Sequence, residues 1–327
     1  MIKTVELPLV KIEFIDSIDD LKQYSNYDIC ITGLDKRSVK LGRKLNKNNI
    51  DFVCFVSPEN VALTEKSNVY APNNTCKLNK NNVLVVNFPN WINSLHYYIE
   101  MGFKHFVILR LFQSDSWERT CIVSHMNKII FLPNYKVLYS SIREYFRKNY
   151  PEFENAPKTS AGLNTRIEMK DPAFADYFKF TIVRNPWDRV ASFYRDKIDK
   201  GNNHQNYSKW RHPFAVFLDK EDLKISDVIR IISSVPDSHA DNHFIAQYPK
   251  IYSNTKSLVD YVAKFETLQK DISAIRDISG LDLQQLKKFN VTNFKNRSYK
   301  DYYDSNDAIN MVGERYSNDI ISFNYVF

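Results

Sequence analysis

A lysine, two pairs of residues bearing hydroxyls and guanidinium, and the helices they precede have the types and spacing to hold phosphate. Lys136 stands in Lys128–Phe146 (KIIFLPNYKVLYSSIREYF), where an apolar run passes through a polar loop into a helical pattern. Ser140 and Ser141 fall where that helix would be N-capped. Hydroxyls beside the free N–H groups of a helix start bind anions, and Lys136 adds a point charge from the same loop. Phe178–Lys197 (FKFTIVRNPWDRVASFYRDK) repeats the plan: Arg184 ends a strand-like run, Asn185–Pro186 opens a helix, and Ser192 lies two turns in. Arg189 and Arg195 add charge. An arginine fork with a helical hydroxyl suits a phosphate at one end of a sheet. Read alone, the first segment is also a capped helix with an incidental lysine, and the second an amphipathic helix with an ordinary basic face.

The elements that must position these residues alternate in type. Lys128–Leu132 and Tyr177–Arg184 read as strands; Ser140–Asn149 and Pro186 to about Lys200 read as helices. Pro186 suits a first helical turn, where its missing N–H would have no partner. Upstream, Asp28–Gly33, Asp51–Ser57, Asn82–Phe88 and Lys104–Arg110 read as strands, and Lys36–Asn48 and Trp91–Met101 as helices, the second closed by Gly102. The alternation argues for a parallel α/β sheet with helices on both faces. Residues 112–127 are polar and read as a linker, and Gly201–Arg211 as a loop. The remainder is mostly helical in pattern, with a strand-like run near Leu258–Phe265.

Only 7 of 327 residues are glycine, and the closest two are Gly33 and Gly42. Neither G-x-G-x-x-G nor G-x-x-x-x-G-K can therefore be written, which excludes a standard dinucleotide fingerprint and standard P-loop NTPases. The length predicts about two domains, and 43% hydrophobic with 25% charged residues describe an ordinary globular protein. The formal net charge of +7 is dispersed, without an arginine-rich run; it suits anionic ligands and predicts no nucleic-acid partner. Cys30, Cys54, Cys76 and Cys121 lack metal-ligand spacing and predict a reducing compartment. The N-terminus has no charged region followed by a long apolar stretch, and no run approaches the roughly 18 residues of a membrane span. A cytoplasmic protein without a transmembrane segment is expected.

Thr181–Lys197, TIVRNPWDRVASFYRDK, resembles the 3'-phosphate-binding element of carbohydrate sulfotransferases of the sulfotransferase-2-like family, a pattern near V-R-[ND]-P-[FYW]-[DE]-R-[LV]-x-S-x-Y-x-[DN]-K. The upstream loop, Tyr135-Lys136-Val137-Leu138-Tyr139-Ser140-Ser141, resembles that family's 5'-phosphosulfate loop, P-K-V-[AG]-x-[ST]-[SN]. It departs from the pattern at Tyr135, where the family has proline, and at Leu138, where it has a small residue. Asn242-His243-Phe244 with Gln247, Asp260–Asp271 (DYVAKFETLQKD), Arg297-Ser298 and Tyr316–Tyr325 (YSNDIISFNY) resemble later elements of the family. The resemblance implies an α/β, P-loop-like sulfotransferase domain with a helical C-terminal part over residues 120–327, preceded by a Rossmann-like domain over residues 1–115. The first turn of the latter, Thr32-Gly33-Leu34-Asp35-Lys36, departs from the dinucleotide fingerprint. That favours a structural, oligomerising or acceptor-positioning role over NAD binding.

The activity implied is transfer of a sulfuryl group from 3'-phosphoadenosine-5'-phosphosulfate (PAPS) to a hydroxyl of a glycan or lipid-linked glycan precursor, without a metal, in a bacterial-type cytoplasmic enzyme. Lys136 would stabilise the leaving phosphate, Ser140 and Ser141 would bind the 5'-phosphate, and Arg184 and Ser192 the 3'-phosphate. Arg297 would close over the same end. The acceptor's proton needs a base. No histidine lies between the two phosphate loops, so His243 is the first candidate and His239 the second. Glu168, which falls between the loops, is the carboxylate alternative. A nucleotide-binding or scaffold protein of the same fold is the second reading, and a homo-oligomer is left open.

Overall fold

Asn82–Val86 (NVLVV) is apolar on both faces, and every residue of it is buried, as in the middle strand of a parallel sheet. The computed structural model describes residues 3–33, 36–56, 69–70, 82–86, 91–109, 118–157, 162–199, 207–284, 286 and 297–327. Contacts divide the chain into two units. One is Met1–Gln113 with Lys197–Asp241; the other is Ser114–Asp196 with Asn242–Phe327. The chain first crosses from one unit to the other after Gln113, and Lys197–Asp241 is counted with the first unit.

The first unit runs β1 (Lys3–Glu6), β2 (Lys11–Ile15), β3 (Asp28–Thr32), α1 (Lys36–Lys47), β4 (Cys54–Val56), β5 (Val69–Tyr70), β6 (Asn82–Val86), α2 (Trp91–Glu100) and β7 (His105–Leu109). Its seven strands are ordered β1-β2-β7-β6-β3-β4-β5. All pairs are parallel except β1–β2. The strand order reverses between β3 and β6, a topological switch point. Ile29, Ile31, Leu41, Leu45, Val83 and Val107 join one core beneath it. Gly102 closes α2 with φ +95° and donates to Ile99 O at 2.9 Å, a left-handed position that glycine enters without the strain of a Cβ. Cys30 and Cys54 face each other across β3 and β4 as buried thiols. Strands β1 and β2 are not legible in the sequence reading above. Residues 57 and 87–88, which that reading included in strands, lie outside the described residues, as do Leu34, Asp35 and Cys76.

The second unit begins with β8 (Glu118–Ser124), β9 (Ile129–Leu132), α3 (Tyr139–Asn149), β10 (Asn164–Glu168), β11 (Phe178–Val183) and α4 (Pro186–Lys197). The chain then supplies α5 (Tyr207–Leu218) and α6 (Ile225–Ser234) to the first unit. It returns with α7 (Tyr248–Ile251), the β12–β13 hairpin (Tyr252–Ser253, Lys256–Ser257), β14 (Tyr261–Lys264), α8 (Leu268–Ser279), α9 (Asn306–Arg315) and α10 (Ser317–Phe323). The five-stranded sheet is ordered β10-β8-β9-β11-β14, with β9, β11 and β14 parallel and β8 antiparallel to both its neighbours. Phe131, Ile142, Phe146, Phe180 and Ile275 meet in its core, each fully buried side chain contributing about 1.5–3 kcal/mol.

Two expectations are corrected here. Residues 118–124, read as linker, form β8: Cys121, Ile122 and Val123 are buried, and pairing on both sides outweighs the polar flanks. Tyr207–Arg211, read as loop, is the first part of α5. No helix among the described residues is long and apolar enough to cross a membrane.

Candidate active site

Strands β9 and β11 are parallel neighbours, Phe178 opposite Ile129 and Thr181 opposite Leu132. Both therefore end at the same edge of the sheet, about 5 Å apart, and deliver their loops side by side. Asn134, buried after β9, fastens the first loop to β11 through Thr181 Oγ1 (3.1 Å) and Ile182 O (3.0 Å). Lys136 and Leu138 then take left-handed conformations, φ +66° and +56°, costing about 1–2 kcal/mol each for a side-chain-bearing residue.

Leu138 is the N-cap of α3 and offers no side-chain cap, so Ser140 and Ser141 sit inside the first turn. This corrects the capping role expected for them: the left-handed turn at Leu138 starts the helix earlier. The half-buried Ser140 and the buried Ser141 are carried on that turn. A left-handed residue leading into a helix gathers successive N–H groups into an anion-binding concavity, and the orphan donors of the first turn add to it. The Lys136 ammonium lies at 2.7 Å from Asp196 Oδ2, each side chain 14% exposed.

Asn185 caps α4, its Oδ1 accepting from Trp187 N at 3.0 Å. Arg184, 5% exposed, forks onto Asp188 with Nε–Oδ2 at 2.7 Å and Nη2–Oδ1 at 2.9 Å. Its Nη1 donates to Lys136 O at 3.0 Å, so the second element grips the first. The guanidinium also stacks over Phe265, 4.5 Å from the ring centroid. Ser192 is buried one turn beyond Asp188, and Arg195 is buried a turn further, its desolvation pushing its pKa down from the usual arginine value.

Later segments hold this edge. Gln247 accepts from Arg184 N at 3.0 Å and donates to Arg184 O at 2.9 Å. Asp319, fully buried, accepts from Gln247 N and Tyr248 N at 2.9 and 2.7 Å; burial pushes its carboxyl above the usual range. Glu266 accepts from Asn185 N at 2.7 Å, and Asp271 from Lys264 N, Tyr261 Oη and Thr267 Oγ1.

The family model described as Sulfotransferase family matches residues 115–326. The chain belongs to the sulfotransferase family. No curated protein and no solved structure gives a significant match. Both loops of this sulfotransferase lie within the matched span, and so do all the site residues predicted from its sequence.

His243 stands at the sulfotransferase's first loop, its ring edge-to-face with Tyr135 (5.2 Å between centroids) and 5.9 Å from Phe193, the neighbour of Ser192. His239 belongs to the first unit, its ring nitrogens at Ser238 Oγ (2.8 Å) and Ile15 O (3.0 Å). Glu168 lies on edge strand β10, with β8 between it and β9, and its carboxylate accepts from Lys170 N at 3.4 Å. The structure thus brings His243 to the loops and leaves Glu168 two strands away. His243→Asn is expected to lower kcat about 10²–10⁴-fold, and Glu168→Gln to leave kcat unchanged within about threefold. Steady-state rates of the two variants check this; the reverse ranking would make Glu168 the base.

Arg297 is exposed, just ahead of a short turn capped by Ser298. Tyr303, after that turn, donates to Trp187 O at 2.9 Å, which ties the segment to α4. Among the described residues, no group of three or more His, Cys, Asp or Glu is placed to hold a metal. Asp188, Asp196 and Lys250 were not picked out individually from the sequence. Asp188 carries a signal, since it follows Arg184 at i+4, the spacing of a helical ion pair. Lys250 carried none: it lies far along the chain, yet its ammonium donates to Pro133 O, under the first loop.

Proposed function

We propose that this sulfotransferase transfers the sulfuryl group of PAPS to a hydroxyl of a glycan or lipid-linked glycan precursor. The observation that carries the reading is the grip of Arg184 on Lys136 O, which joins two anion-binding elements at one sheet edge. PAPS has two phosphate groups to match them. The residues suit it chemically: hydroxyls, a helix start and a lysine for the 5'-phosphosulfate, a buried arginine and Ser192 for the 3'-phosphate.

In the reaction the acceptor oxygen forms a bond to sulfur. The bond from sulfur to the bridging oxygen breaks, its electron pair leaves on the 5'-phosphate, and the acceptor's proton passes to His243. Lys136 stabilises the charge that develops on the leaving oxygen, as positioned cations do in phosphoryl transfer. The first unit is Rossmann-like in this reading, supported by its parallel sheet and switch point, and it positions the acceptor or oligomerises. The acceptor class and a cytoplasmic location rest on the family resemblance.

Incubation with radiolabelled PAPS and pools of oligosaccharides or nucleotide sugars tests the reading. Label is expected in a product heavier by one sulfuryl group, with saturable binding of 3',5'-adenosine bisphosphate measured by calorimetry. Binding without transfer to any pool would favour the scaffold reading, and absence of both would overturn the assignment of the site.

A further inference from the structure

We infer that Lys250 and Arg189 are positioning residues for the phosphosulfate loop, holding its carbonyls so that its N–H groups turn toward the donor's 5'-phosphate. The inference rests on the sulfotransferase reading above and adds to it what shapes the loop. Three cations meet the loop through main-chain oxygens: Lys250 Nζ at Pro133 O, Arg189 Nε at Tyr135 O (3.3 Å) and Arg184 Nη1 at Lys136 O (3.0 Å). In a planar trans peptide the N–H points opposite to the C=O. Pinning these three carbonyls therefore directs the N–H groups of Asn134, Lys136 and Val137 to the other side.

A glycine-rich loop reaches such a conformation through the freedom of its own backbone. This chain has no glycine between Gly102 and Gly162, and the left-handed positions of the loop itself are Lys136 and Leu138. The hold must come from outside the loop. Lys250 is itself fixed, since Arg119 donates to Lys250 O at 2.9 Å and to Pro249 O at 3.1 Å. Arg189 also donates to His243 O (3.3 Å) and Ile245 O (2.6 Å), so one guanidinium sets both the loop and the segment bearing the proposed base. The groups facing the Lys250 ammonium are Arg189 on α4, Arg119 and Cys121 on β8, and the Tyr135 ring of the loop. Burial among these positive charges pushes its pKa down to about 7.

The test separates the two phosphates. Wild-type and Lys250→Met proteins are titrated with 3',5'-adenosine bisphosphate and with adenosine 3'-monophosphate, and the ratio of the two dissociation constants measures what the 5'-phosphate adds. Adenosine 3'-monophosphate is expected to bind both proteins within about twofold, while the ratio falls about tenfold or more in the variant. Equal weakening of both ligands, or an unchanged ratio, overturns the inference. A second measurement needs no variant: in the wild type the ratio is expected to fall as pH rises through about 7 and Lys250 loses its proton, because charge-assisted bonds are the stronger ones. A ratio that stays flat there overturns it as well. A wild-type protein that gains nothing from the 5'-phosphate instead overturns the reading of the loop itself.

Discussion

Lys136→Met is expected to lower kcat for sulfuryl transfer about 10²–10³-fold, the usual cost of removing one donor aimed at developing charge, while 3',5'-adenosine bisphosphate still binds within about tenfold. The split follows from position. Lys136 leaves a left-handed turn between β9 and α3, whereas the donors of the α3 first turn and Arg184 remain in the variant to hold the nucleotide. Asp196 keeps the ammonium near the loop at 2.7 Å, so the lysine is oriented before any donor arrives. Single-turnover transfer of label beside calorimetry of the nucleotide checks both halves. A variant whose rate stays within about tenfold of wild type would remove Lys136 from the chemistry.

Arg184→Ala is expected to act on binding and stability together. Its guanidinium is buried in a bidentate pair with Asp188, and removing one partner of such a pair costs about 3–5 kcal/mol. The substitution also frees Lys136 O and uncovers Phe265. Affinity for 3',5'-adenosine bisphosphate is expected to fall at least about 30-fold, or about 2 kcal/mol. Adding Asp188→Asn removes the stranded carboxylate, so the double variant should recover part of the stability in urea unfolding but none of the affinity. Recovery of both would mean that Arg184 serves the fold alone. Arg184→Lys is not expected to substitute, because an ammonium cannot reproduce the planar fork.

The strands around the site were legible because buried parallel strands are continuous apolar runs: KIIFL and FKFTIV stand out from their surroundings. The start of α4 was equally plain, since Asn185–Pro186 is a local signal and the cap is made by Asn185 itself. The first loop was legible only in part. Lys136 announced itself by charge, but nothing in Leu138 signals a left-handed backbone, and this moved the cap away from the serines. Strand β8 is flanked by polar residues, and its burial comes from neighbours β9 and β10. Helix α5 contains Pro213, which argues locally against a helix and is overruled by packing. Lys250 belongs to the same class: its partner Pro133 is chosen by the sheet, and no spacing along the chain reveals it.

The route of the chain has a consequence for dissecting the protein. The family match is one contiguous stretch, yet Lys197–Asp241 within it is folded into the body that begins at the N-terminus. Helix α5 there buries Trp210, Phe214 and Phe217, and α2 is among its neighbours. A fragment cut to the boundaries of the family would retain these aromatics and discard the surface they pack on. The matched stretch is thus not an interchangeable module that can be lifted out at one cut, because the packing of α5 within it depends on a helix encoded well upstream.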